Sequence, residues 1–159
     1  MAGELDLIRD LYAYNLRTRE KYLNSIWKLS STERYKDRGA SFPSLVDIYM
    51  HVLDAYRYWF LGVYGHDVPF EEYPLGRRYS RAEAVRETAA VDRVVRSVLG
   101  TLTPKDLDRR LTIPRRRGEQ VSVRILLVHM IEEELQHRGE MNALLWQAGH
   151  DAPVVGFDD

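Results

Sequence analysis

The chain contains no cysteine. That excludes disulfides, thiolate metal ligands and a cysteine nucleophile, although it does not by itself assign a compartment. No apolar run approaches the roughly 20 residues that a transmembrane helix needs, and residues 1–10 lack the basic-then-apolar pattern of a secretion signal. A cytoplasmic protein with no membrane contact is the expectation. The formal net charge is only −1 and the charged residues, 30% of the total, are mixed in sign, so nothing draws the molecule as a whole toward nucleic acid or anionic lipid. Internal repeats and low-complexity tracts are also missing. What remains is a chain of 159 residues with 45% apolar content, suited to a single domain over residues 1–159 with one sizeable core.

Four stretches carry apolar residues at helical spacing. Residues 4–29 place Leu5, Ile8, Tyr12, Tyr22 or Leu23, and Ile26 on one stripe, and Asn15 and Arg19 share it. These two polar groups are expected to be satisfied at a helix interface or its wet edge, or else to reach a polar pocket between helices. A second helix opens at the N-cap Ser44, just after Pro43, and runs to about Tyr64 with Leu45, Ile48, Val52, Ala55, Trp59 and Gly62 or Val63 inward. The third starts with the capping box Ser80-Arg81-Ala82-Glu83, turns Val85, Thr88, Val91, Val95 and Leu99 inward with Asp92 at its edge, and stops near Gly100. Ser122 caps the fourth, whose inward residues are Leu126, Met130, Met141, Leu144 and Ala148 and whose stop is Gly149.

The connections differ in character. Residues 30–43 are polar, with Gly39 and Pro43 as breakers, and are long enough to cover one end of the domain. Residues 65–79, with Pro69, Pro74 and Gly76, form an ordered loop. Residues 101–120 hold Pro104, Pro114 and Gly118, a short extended candidate at Leu111-Thr112-Ile113, and the triplet Arg115-Arg116-Arg117, which reads as a solvated loop with at most an anion contact. With no convincing strand, the pattern predicts an all-α, antiparallel four-helix bundle.

The last helix carries the chemistry. His129, Glu133, His137 and Glu140 fall one turn from the next on its apolar side. A carboxylate facing apolar surroundings is costly unless it is paired or coordinates a cation. Glu133 and His137, at i and i+4, can place an oxygen and an imidazole nitrogen on one ion. His51, centred in the second helix, can close that site from across the bundle, and His129 is the rival to Glu133 as third ligand. Asp47 and Asp54 lie one turn either side of His51 and could orient its second ring nitrogen, ordinary solvated helix charge being the plainer role. Glu134 and His137 have the Glu-x-x-His spacing of di-iron proteins, but no second such pair occurs. A polar core cluster without metal is the plainest alternative. Gly139 costs about 1 kcal/mol relative to alanine inside a helix, which close packing against a neighbouring helix would explain.

The run from Leu126 through His129, Glu133 and His137-Arg138-Gly139-Glu140 to Leu144-Leu145-Trp146-Gln147 resembles the closing helix of the DinB/YfiT-like superfamily, where a histidine is followed four residues later by another and then by Arg-Gly-Gln or Arg-Gly-Glu. Ser41-Phe42-Pro43-Ser44 through His51 to Tyr58-Trp59 is similar to that family's second helix, and Leu11-Tyr12-Ala13-Tyr14-Asn15 to its opening. The likeness covers nearly the whole chain. It implies a four-helix bundle, often a homodimer, that binds one divalent transition metal, commonly zinc or nickel, through three histidines. Carried over by position, the metal ligands are His51, Glu133 and His137, with Glu133 standing where the family usually has histidine. The added oxygen ligand brings iron and manganese into consideration. The activity implied is that of a metal-dependent hydrolase, or of a transferase or isomerase using a low-molecular-weight thiol, on a small-molecule substrate, with Glu140 or His129 as proton carrier. The alternative is a non-catalytic interaction protein whose metal staples the bundle; a catalytic ion keeps an exchangeable position and a structural one is closed off. Tyr14, Tyr49 and Tyr58, read as exposed, are candidate dimer contacts.

Overall fold

Serine caps set three helix starts. In the computed structural model, which describes residues 3–66 and 71–156, Ser44 accepts from the Asp47 N–H, Ser122 from the Ile125 N–H, and Ser80 and Glu83 bond reciprocally as a capping box. The breaker Pro69, the first two residues and the end of the tail at 157–159 lie outside the described residues.

The elements in order are α1 (Glu4–Lys28), a short α2 (Ser31–Arg34), α3 (Leu45–Arg57) running on as a π-helical segment (Tyr58–Tyr64), α4 (Arg81–Thr101), a 3₁₀ turn (Pro104–Asp108), β1 (Arg110–Thr112), β2 (Gln120–Ser122) and α5 (Val123–Gln147). The chain is mostly helical. Helices α1 and α3 each pack on both α4 and α5, and Gly149, at φ +76°, ends the last helix in the left-handed region that favours glycine. No helix is long and apolar enough to cross a membrane among the described residues.

Three expectations need correction. The all-helical chain carries a small antiparallel sheet, with Leu111 opposite Val121 and Thr112 opposite Gln120. Burial of Leu111 and Ile113 and the bond from the Ile113 N–H to the Glu119 carbonyl hold it; β1 overlaps the extended candidate Leu111-Thr112-Ile113, whereas β2, of three residues, is too short for a period-two pattern to register. On α4, Ala84 rather than Val85 is buried, four residues before Thr88 on the stripe that Val91, Val95 and Leu99 continue as expected. Tyr49 is not exposed: it is buried, and its hydroxyl pairs with that of Thr88 at 2.7 Å. The core centres on Tyr12, Tyr56 and Phe60, whose rings meet at 5.8–6.2 Å in stacked and edge-on pairs.

Helix α5 is apolar on both sides. Ile125, Val128, Leu135 and Trp146 are exposed on the face turned away from the core. Gly139 is exposed as well, and a Cβ added there meets nothing within 4 Å, so close packing within this chain does not explain it. Gly139→Ala is expected to raise stability by about 1 kcal/mol through helix propensity. Urea unfolding checks this; a drop instead of a gain would show that another chain packs at that position.

Candidate metal centre

Glu133 and His137 project from successive turns of α5 toward His51 on α3. The Glu133 Oε1 atom lies 3.3 Å from His51 Nε2 and 3.2 Å from His137 Nε2, and one donor atom from each of the three residues falls within 4.8 Å of the others. Two donors on one ion, each bonded at about 2.0–2.2 Å, stand roughly 3.0–3.5 Å apart. Both edges to the carboxylate match that spacing.

The protons carry the argument further. His137 Nδ1 lies 2.6 Å from Glu140 Oε2, which also accepts from the Ser41 hydroxyl at 2.8 Å. Neutral imidazole has one N–H. With that N–H on Nδ1 and donated to Glu140, Nε2 turns a lone pair toward the Glu133 carboxylate, and two acceptors at 3.2 Å repel each other unless a cation or a proton lies between them. Burial lowers the pKa of His51, more than Glu133 raises it, which keeps that ring neutral and able to ligate. Burial alone would raise the Glu140 carboxyl, but the bonds from Ser41 and His137 hold it below its ordinary value. The donor set therefore fits a divalent cation.

Phe42 covers one side. Its ring stacks on His51 with centroids 4.1 Å apart and meets His137 edge-on at 5.7 Å. On another side, His51 and Glu133 line a cleft of about 540 Å³ including its mouth, together with Tyr58, Trp59, Glu72 and Arg115. His129 stands apart from the three clustered donors. It is about one-third exposed, its Nδ1 lies 3.5 Å from Glu132, and its ring packs edge-on against Trp59 at 5.2 Å.

Neither aspartate flanking His51 bonds to it, and neither is solvated helix charge. Asp47 is buried and accepts from the Ser44 hydroxyl and the Gly76 N–H. Asp54 accepts from the Tyr73 N–H and from Arg57, and burial pushes its carboxyl up to about 6 despite those bonds. Together they fasten the loop at 71–79 over α3, beside the site.

Glu134 also faces away from the three donors. It is 2% exposed and accepts from Arg19 at 2.7 Å, Tyr56 at 2.6 Å and Arg138 at 3.1 Å, while Arg19 reaches Asp92 and Arg138 reaches Asn15. Asn15 and Arg19 thus bond across a helix interface, through both terminal nitrogens of Arg19 but not its Nε, and the Glu-x-x-His spacing serves two separate clusters. The residues around the site that sequence reasoning missed are Phe42, Ser41, Glu72 and Arg115. For the first two the available signal was the Ser-Phe-Pro-Ser run before the His51 helix; the other two come from loops with no periodicity.

A family model described as the DinB family matches residues 1–158. The crystal structure of a DinB-like protein from Bacillus cereus ATCC 10987 superposes with a TM-score of 0.72 at 21% identity, covering 94% of this chain and 95% of that one. A DinB-like protein from Bacillus subtilis gives 0.64 at 18% identity, covering 91% and 95%. These two likenesses concern the fold. No curated protein matches the chain.

Proposed function

The chain belongs to the DinB family, and from that premise we propose that it is a metal-dependent enzyme built on an antiparallel four-helix bundle, with one divalent transition metal held by His51, Glu133 and His137. The observation that carries this is the convergence of those donors on one point beside an open cleft. Zinc or nickel is the first choice, and the carboxylate admits iron or manganese. The ion, when bound, supplies a Lewis acid that acidifies a water or polarises a substrate group. The chain's own groups do the rest. Glu140 holds the proton on His137 Nδ1 and aims the opposite nitrogen at the shared point, which makes it a positioning residue. Phe42 shuts out water on one side. His129 keeps the role of proton carrier in this reading, because its ring packs on Trp59, which lines the cleft. The reaction class is hydrolysis, or transfer or isomerisation using a low-molecular-weight thiol, on a small molecule in the cytoplasm.

An exchangeable coordination position separates this reading from a metal that only staples the helices. Azide added to the cobalt(II)-loaded protein is expected to change its visible spectrum, followed by turnover in ester-hydrolysis or thiol-transfer assays. An unchanged spectrum would favour the staple. Glu140→Ala is expected to weaken metal affinity about 10–100-fold with the fold intact, as loss of a carboxylate behind a ligating histidine does; competition with a chromogenic chelator measures it. Homodimer formation is part of the proposal, and the exposed row Ile125, Val128, Leu135 and Trp146 supports α5 as the shared face.

A further inference from the structure

The cleft beside His51 and Glu133 has an aromatic wall and a charged rim. Tyr58 and Trp59 meet edge-on at 5.4 Å, and Arg115, from the loop between β1 and β2, lays its guanidinium 5.2 Å from the Tyr58 ring centroid. The same guanidinium pairs with the Glu72 carboxylate, which comes from the opposite loop. Arg115 and Glu72 are 56% and 59% exposed. An ion pair so exposed is weak, so its carboxylate is readily exchanged for another.

We propose that Arg115 is a specificity-determining residue of this cleft, and that Glu72 occupies on it the place taken by the carboxylate of a small substrate whose planar or apolar part lies against Tyr58 and Trp59. The guanidinium offers a fork matched to a carboxylate. It is already held over an aromatic ring, which limits the freedom lost on binding. This assigns to one member of the arginine triplet a task that the neutral charge balance made implausible for nucleic acid. The inference rests on the metal reading, since the carboxylate end is what would orient the other end toward His51 and Glu133.

The test uses the zinc-loaded protein and benzohydroxamate, a metal chelator, alongside the same molecule with a ring carboxylate in the meta or para position, measured by calorimetry. At least one carboxylated probe is expected to bind about tenfold tighter than benzohydroxamate, an advantage lost in Arg115→Ala and partly kept in Arg115→Lys. Glu72→Gln removes one internal competitor and is expected to strengthen the carboxylated probe several-fold while leaving benzohydroxamate unchanged. Equal affinities on the parent, or an advantage that survives Arg115→Ala, overturn this inference alone. A parent that retains none of zinc, nickel, manganese and iron, or that binds neither probe once loaded, overturns the metal-enzyme reading and this inference with it. Arg115 lies on an exposed loop, so its variants remain folded controls; zinc content measured on each confirms that the site is intact.

Discussion

Glu134→Ala is expected to lower the free energy of unfolding by about 3–5 kcal/mol, the largest single loss of stability we anticipate. The carboxylate sits between two guanidiniums in a region closed to water, with Arg19 and Glu134 each 2% exposed and Arg138 similarly buried. Burial raises the Glu134 carboxyl, but Arg19 and Arg138 outweigh that and hold it below its ordinary value, so the group is charged in the folded protein. Truncating it strands positive charge in the core. Asp92 still reaches Arg19 at 2.6 Å, but Arg138 keeps only its bond to Asn15 among the polar contacts described. Glu134→Gln should fall between parent and alanine, since an amide oxygen can accept from the same donors without neutralising them. Urea unfolding measures both. A loss below about 1 kcal/mol for the alanine variant would show that water reaches this network.

The second large effect is on metal. Loss of His51 or Glu133 would remove one of the three proposed ligands, and with so few the expected result is loss of the ion on dialysis rather than graded weakening. The two variants probe different helices. His51→Ala tests whether α3 contributes; Glu133→Ala tests whether a carboxylate truly stands in the place of a histidine. His129→Ala is the matching control, since His129 lies outside the cluster against Trp59, and it should retain the ion.

Much of this arrangement was legible in the chain. The Ser44, Ser80 and Ser122 caps defined the starts of three helices because a side-chain oxygen three residues before a free backbone N–H is a local signal. The pairing of Glu133 with His137 followed from helical spacing, and His51 from its place on the facing helix. What escaped depended on partners distant in sequence. Glu132, Glu133 and Glu134 are consecutive acids, and periodicity alone did not show that the third would turn inward; that depends on Arg19 from α1 and Tyr56 from α3 meeting it. The loop contacts of Asp47 and Asp54 escape the sequence because they run through the backbone N–H groups of Gly76 and Tyr73, which carry no side-chain signature. Phe42 stood in the motif before α3, yet nothing local revealed that its ring would lie on His51.

Elemental analysis of the purified protein, with His51→Ala and Glu133→Ala dialysed alongside it, tests the central claim most directly. The expected result is about one equivalent of a transition metal in the parent and loss of it in both variants, the stoichiometry of a single mononuclear site. A parent that holds no metal after reconstitution with zinc, nickel, manganese and iron would contradict the account, and the three residues would then be a hydrogen-bonded polar cluster.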